Sequence, residues 1–273
     1  MTIKRRLVTS VRAKPRKLPA CFVILAVLLL ATTKGHAQEQ KLRIAAAADL
    51  KFVMPELSRE FGDKTGTKID VTSGSSGNFF AQIQSGAPFD LFFSADIEYP
   101  KRLEAAGFAE PGTMFAYAEG RIVIWTPATT AEDLAKQGWN VLLDGRVQKI
   151  AIANPAHAPY GKAAVSALQK AGIYNQVKTK LVYGENISQA AQFVQSGNAQ
   201  AGIIARSLAL SPGMKDGQIW EIPAEMHPPI HQGAVVLKSA KNKPTARAFL
   251  DFVKSTAGRE ILEKHGFAGP GKS

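Results

Sequence analysis

Hydrophobic residues along this chain switch repeatedly between two spacings. In "KLRIAAAA", "TKIDVTS", "FDLFFSA", "RIVIWT", "QKIAIAN", "KLVYGEN", "AQAGIIA", "QIWEIP" and "GAVVLK" they run or alternate over a few residues, which predicts strands. In "PELSREFG" Leu57 and Phe61 lie four apart. The same helical spacing recurs in "GNFFAQIQSG", "IEYPKRLEAAG", "TAEDLAKQG", "GKAAVSALQKAG", "ISQAAQFVQSG" and "PTARAFLDFVKS". Strand and helix alternate almost throughout. This pattern predicts an α/β fold of mainly parallel sheets with helices on both faces. In such sheets ligands bind beyond the carboxyl ends of the strands.

The rhythm changes character twice, near "FAYAEGRIVIWTP" and near "HPPIHQGAVVLKSA". Two such changes predict a chain that builds one lobe from 38–119, crosses to a second over 120–235, and returns to complete the first with 236–273. The two crossing strands would form a hinge.

The first 37 residues follow neither spacing. Seven basic residues precede Ala20, the apolar run "ACFVILAVLLLATT" follows, and "GHA" stands before Gln38. A basic start, a short apolar stretch and a small residue at the cut describe a secretory signal peptide removed between Ala37 and Gln38. "LPAC" resembles a lipoprotein box, but it precedes the apolar run instead of following it. No later segment is apolar enough to span a membrane, so the mature chain is expected in the periplasm.

Removing the signal changes the charge. The chain holds 34 Lys+Arg and 22 Asp+Glu, for a net charge of +12. Eight of the basic residues and none of the acidic ones lie in 1–37, which leaves the mature part at +4. It carries no basic stripe with interleaved aromatics, so nucleic acid is not the expected partner. Cys21, the single cysteine, leaves with the signal, so the mature chain is expected to have no disulfide and no thiolate metal site.

Four strand-to-helix junctions carry the candidate chemistry. "AAAADL" ends a strand in small residues, and Asp49 is a good helix-capping type. Pro55 belongs in a first helical turn, which predicts a separate turn over 49–53 and a helix body starting near Pro55. "SGSSGN" offers Ser75 and Ser76 as caps, with Gly77 freeing an amide. "NPAHAPYG" is a loop stiffened by two prolines that opens a helix at Tyr160-Gly161. "GENISQ" places Asn186 three residues before Gln189, the spacing of a capping box, with Ile187 first to present a free N–H. Each junction also suits ordinary capping. Together, two from each lobe, they would present helix-start amides to one anion without a formal countercharge.

These residues resemble a family. "AAAADLKFVMPEL", "SGSSGNFFAQIQSGAPFDLFFSAD", "GRIVIWTP", "IANPAHAPYGKAA" and "GENISQAAQFVQSGNAQAGII" are together similar to the periplasmic molybdate-binding proteins of ABC importers, in order from about Leu42 to Phe267. The resemblance implies the type II periplasmic-binding fold, two α/β lobes joined by two crossing strands and closing on an oxyanion. It implies molybdate contacts at Asp49, Ser76, Tyr160 and Ile187, with Ala48 and Ser75 as further candidates, several of them through backbone N–H. It also implies a monomer that serves a membrane permease and its cytoplasmic ATPase, with no cofactor, no free metal cation and no catalytic residue. Tungstate, a near-isostere, should bind too. Two departures stand out. Many members carry serine or a Thr-Asn pair where this chain has Ala48-Asp49, and some carry a tyrosine where it has Ala205. A carboxylate pointed at a dianion would repel it. Asp49 is therefore expected to give its N–H and to turn its carboxylate away as a cap.

Other readings are weaker. Sulfate or phosphate could occupy such a site. "GSSGN" lacks the last glycine of G-x-S-x-G, and no sequence pattern pairs a serine with His157, His227, His231 or His265, which argues against a serine hydrolase. His227 and His231 are four apart, but Pro228-Pro229 rules out the helix that would align them on a metal. No dinucleotide-binding or P-loop motif occurs.

Overall fold

The computed structural model describes residues 41–130 and 133–271. The expected signal over 1–37 and its cut before Gln38 lie outside them. Ten strands form two sheets. The first is built from β1 (Lys41–Ala47), β2 (Lys68–Gly74), β3 (Leu91–Ser94), β4 (Phe115–Gly120) and β10 (Ile230–Val236), in the order β2-β1-β3-β10-β4. The second holds β5 (Ile122–Pro127), β6 (Ile150–Ala153), β7 (Leu181–Gly184), β8 (Ala201–Ala205) and β9 (Gly217–Glu221), in the order β7-β6-β8-β5-β9. In each sheet four strands share a direction, and one, β10 or β5, runs against its two neighbours. The mainly parallel α/β architecture with two lobes is therefore the observed one.

The alternation that predicted strands sorts side chains to opposite faces. Ile44 and Ala46 of β1, Phe93 of β3, and Ala234 and Val236 of β10 enter one core. That core lies under the helices Val53–Thr65, Lys243–Lys254 and Thr256–Lys264. Ala45, Phe92 and Val235 enter the other, under the helices Ser76–Gln84 and Glu98–Ala105. The second lobe has one large core, which extends to Ala47, Ala48 and Ala95 of the first.

The lobes connect twice. β4 passes into β5 with only Arg121 between them. The return crossing spans 223–229, ahead of the 235/236 boundary expected from the sequence. β10 pairs with β3 and β4 from Ile230 onward, so its whole length belongs to the first sheet. Pro223, Pro228 and Pro229 break the ladder before it, since proline has no N–H to donate. The structure also adds a helix, beyond the last one the periodicity predicted. After Ser255 the chain turns, and the Ser255 hydroxyl accepts from the Gly258 N–H at 3.3 Å to start Thr256–Lys264, which buries Ile261 and Leu262. No helix among the described residues is long and apolar enough to cross a membrane.

Strand register positions the junctions. Ala47 of β1 pairs with Gly74 of β2, and Ala153 of β6 pairs with Gly184 of β7. In each sheet two neighbouring parallel strands thus end level, and the segments that follow leave from the same edge.

Candidate functional site

All four junctions meet. Ala48, Asp49, Ser75, Ser76, Tyr160 and Ile187 line one small cavity of about 10 Å³ between the lobes. Each of the six is buried. Among the described residues, none that lines it is lysine, arginine or histidine. Larger clefts of about 320 and 380 Å³ flank the crossing segments, but neither gathers the four junctions.

Each junction leaves amides that its own helix cannot satisfy. Residues Ala48–Leu50 form a single 3-10 turn, and the helix Val53–Thr65 follows with Pro55 inside its first turn, as the proline predicts. In the helix Ser76–Gln84 the Gly77 N–H donates to the His157 carbonyl at 3.0 Å across the cleft, and the Phe79 N–H to the Ser75 carbonyl. The Ser76 amide is left as the first of that helix. The helix Pro159–Lys170 opens on a proline, which has no N–H, so Tyr160 is its first residue with an amide to offer. Ile187 opens Ile187–Gln195 after Asn186, whose side chain accepts from the Gln189 N–H at 3.1 Å. The capping box is offset: Gln189 Oε1 accepts from the Glu185 N–H at 2.6 Å, one residue before the cap.

The two serines have different roles. Ser76 Oγ accepts from the Ala95 N–H at 2.9 Å. Its own proton remains to be donated, so its hydroxyl is held as a donor at the cavity wall. Ser75 occupies the cap position but makes no side-chain cap bond. Its hydroxyl instead donates to the His157 carbonyl at 2.6 Å, and the His157 Nδ1 lies 3.0 Å from Ser75 Oγ. No sequence pattern had paired a histidine with a serine; folding does so across 82 positions. With the Ser75 proton on a carbonyl, the ring nitrogen must be the donor. It therefore has no lone pair with which to act as a base toward Ser75. His227 likewise sets Nδ1 against the Pro228 carbonyl at 2.8 Å, and His231 lies 3.6 Å from Glu119.

Gly77 has a steric reason. A Cβ there would meet the His157 carbonyl oxygen at 2.6 Å. Only glycine lets the two helix starts come this close.

Asp49 departs from expectation. Its carboxylate caps no helix, because the three-residue turn is entered from Ala47 and carries no side-chain cap bond. Instead Oδ2 accepts from the Tyr160 hydroxyl at 2.9 Å and from Gln232 Nε2 at 2.5 Å. Gln232 Nε2 also reaches the Tyr160 oxygen at 2.9 Å, and Gln232 Oε1 accepts from the Tyr117 hydroxyl at 2.5 Å. The Ser207 hydroxyl donates to the Asp49 carbonyl at 2.9 Å. A residue whose carboxylate was expected to turn away from the anion as a cap thus joins the first lobe to the second through Tyr160 and Ser207. Gln232, Tyr117 and Ser207 carry no local motif, and their roles were not visible in the sequence. Asp49 Oδ1 is buried without a partner. Burial drives the Asp49 pKa up to about 6, against lowering by Gln232, Tyr160 and the Asp49 and Leu50 N–H groups. Burial, followed by the charge of Asp49, holds the Tyr117 and Tyr160 hydroxyls well above the tyrosine range, so both are neutral donors.

Comparison with known proteins follows this geometry. Residues 42–268 match the family described as bacterial extracellular solute-binding protein. The molybdate-binding protein ModA of Azotobacter vinelandii is 38% identical over 232 residues, covering 85% of this chain and 91% of that one. ModA of Rhodobacter capsulatus is 37% identical over 255 residues, covering 93% and 97%. The solved periplasmic molybdate-binding protein of Azotobacter vinelandii superposes with a TM-score of 0.78 at 33% identity, over 84% of this chain and 99% of that one.

Two outcomes test the site. Gly77→Ala will leave the helix formed, since alanine suits a helix better than glycine, but will hold the lobes apart. Small-angle X-ray scattering at saturating oxyanion should give a larger radius of gyration than wild type; superimposable curves would show that the His157 contact does not govern closure. The second concerns Asp49. Its folded pKa of about 6 lies above the ordinary aspartate value of 3.8. Ionisation therefore opposes folding: the full stability is present below about pH 4 and is lost as pH rises through about 6. Asp49→Asn removes this dependence. Relative to wild type, the variant should gain up to about 3 kcal/mol of unfolding free energy between pH 4 and pH 7. Urea unfolding at both pH values measures the shift, and an unchanged difference would contradict the assigned environment.

Proposed function

The chain belongs to the bacterial extracellular solute-binding protein family, and we propose that it is a carrier that captures molybdate and delivers it to an ABC transporter. One observation supports this most. Residues at four helix starts, Ala48-Asp49, Ser76, Tyr160 and Ile187, line one buried cavity that no cationic side chain lines.

Such a site suits a small dehydrated oxyanion. Unpaired N–H groups and the positive ends of helix dipoles face it, and a serine hydroxyl adds a donor. Backbone dipoles are already oriented, so they need no reorganisation when the anion arrives. In this reading Tyr160 and Ile187 contribute main-chain N–H. Ser76 contributes hydroxyl and amide, and Asp49 its amide, with Ala48 beside it. Ser75 acts on closure through His157. Each lobe supplies half of the donors, so the anion is fully bound only when the lobes meet, and binding favours the closed arrangement. No bond is made or broken. The exported chain, freed of residues 1–37, would work in the periplasm as a monomer and present the closed form to a membrane permease driven by a cytoplasmic ATPase. Tungstate, of nearly the same size and charge, would share the site.

Calorimetric titration with molybdate, tungstate, sulfate and phosphate tests the reading. Molybdate and tungstate should bind alike and far more tightly than sulfate or phosphate; sulfate at equal affinity would make this a general oxyanion carrier. Ser76→Ala should weaken molybdate by about 1–3 kcal/mol, the scale of a hydrogen bond to a charged group. Unchanged affinity would remove Ser76 from the site.

A further inference from the structure

Asp49 sits in the wall of a cavity fitted for an anion, yet it is an acid. It is 1% exposed, and its side chain touches no cation. Both of its side-chain donors, Tyr160 and Gln232, are neutral and both bond Oδ2. Oδ1 is buried with no partner. A buried carboxylate held only by neutral groups, the Tyr160 and Gln232 side chains on Oδ2 and the nearby Asp49 and Leu50 N–H groups, and placed beside an entering dianion, is opposed twice: by its own desolvation and by like charge.

The surroundings offer nothing to offset that charge. The helix Ile187–Gln195, packed on the Ala48–Leu50 turn, contains no ionisable residue. The helix Arg206–Ala209 brings Arg206, but its guanidinium pairs with Glu221 at 2.6 Å. On β2, Lys68 and Asp70 stand at the opposite end from Gly74, where the turn packs. Beside Asp49 in sequence, Lys51 lies over the Phe52 ring. Tyr160 and Tyr117 stay neutral, as described above.

We propose that Asp49 takes up a proton when the oxyanion binds, so that capture of a dianion brings about one solvent proton into the closed site. The proton goes to Oδ1, because Oδ2 already accepts from two donors. Asp49 becomes a neutral carboxylic acid while the anion keeps both charges, so the gain is one proton from solvent with no other bond changed. Asp49 is then a positioning residue with a second duty. Ionised, it would repel the anion; protonated, it keeps its bonds to Tyr160 and Gln232 and so keeps the lobes joined. The free carboxyl is already displaced upward to about 6 by burial; the charge of the adjacent dianion, acting in the same buried site, raises it by roughly a further three units, so that it holds its proton at pH 7.5.

This inference rests on the oxyanion-carrier reading, and one experiment separates the two. Full-length mature protein is titrated with sodium molybdate at pH 7.5 in several non-phosphate buffers that differ in ionisation enthalpy. The slope of observed heat against that enthalpy counts protons. The expected result is uptake near one for wild type and near zero for Asp49→Asn. Wild-type Kd should rise with pH above about 6, by up to tenfold per unit until the bound carboxyl itself ionises, while the Asn variant stays nearly flat. Tyr160→Phe provides a second route should the Asn variant misfold. Removing a donor from Oδ2 raises the carboxyl further, so the pH dependence should begin at a higher pH. Infrared difference spectra should show a protonated-carboxyl band on binding in wild type that the Asn variant lacks. Molybdate binding without proton uptake, or equal uptake in the Asn variant, overturns this inference and leaves the carrier reading standing. No molybdate binding at all overturns both.

Discussion

A helix begins with amide groups that its own turns cannot satisfy, and in this protein residues at four such beginnings line the same small buried cavity. That shared deficit organises much of the molecule. The strands that feed these junctions end level because their registers make them do so: Ala47 beside Gly74, Ala153 beside Gly184. The two sheets repeat one another's topology, so each lobe brings two helix starts to the same edge.

Closing such a site requires walls that can touch. Ala47, Ala48 and Ala95 of the first lobe join the core of the second, and Gly77 lets the His157 carbonyl accept its amide. Small residues here do not mark weak packing. They let backbone approach backbone, so that dipoles rather than side-chain charges surround the cavity. Ser75 fastens the same carbonyl from the side. The Gly77–His157 bond, between main-chain atoms of the two lobes, has no rotamer to loosen it.

Behind the amides, Asp49, Tyr160, Gln232 and Tyr117 form a second layer that spans both lobes and a crossing strand. Here the electrostatics reverse. Among the described residues, no lysine, arginine or histidine lines the front of the site, and the layer behind holds a carboxyl whose ionisation burial resists. The network keeps its hydrogen bonds in either protonation state, because its donors act on one oxygen and leave the other for a proton. A position where a neutral side chain would be simpler therefore remains compatible with an anion beside it.

The chain declared its local features openly. The strands and most helices follow from two hydrophobic spacings. Asn186 with Gln189 announced a helix start, Pro159 before Tyr160 another, and the serines after β2 a third, because a cap is a contact among neighbours and its partners lie within a few residues. Alternating strands and helices likewise implied the sheet architecture. What the sequence could not disclose was set by contacts between distant positions. Asp49 has the composition of a cap, but its carboxylate is claimed by Tyr160 and Gln232, 111 and 183 positions away. Ser75 looks like a cap, yet its hydroxyl crosses to His157. The return of the chain at 223–229 depends on which sheet accepts β10, a choice made by pairing with β3 and β4. Local chemistry wrote the helix starts into the sequence; only folding brought them face to face, because the energy of burying a polar side chain depends on which distant partner is there to meet it.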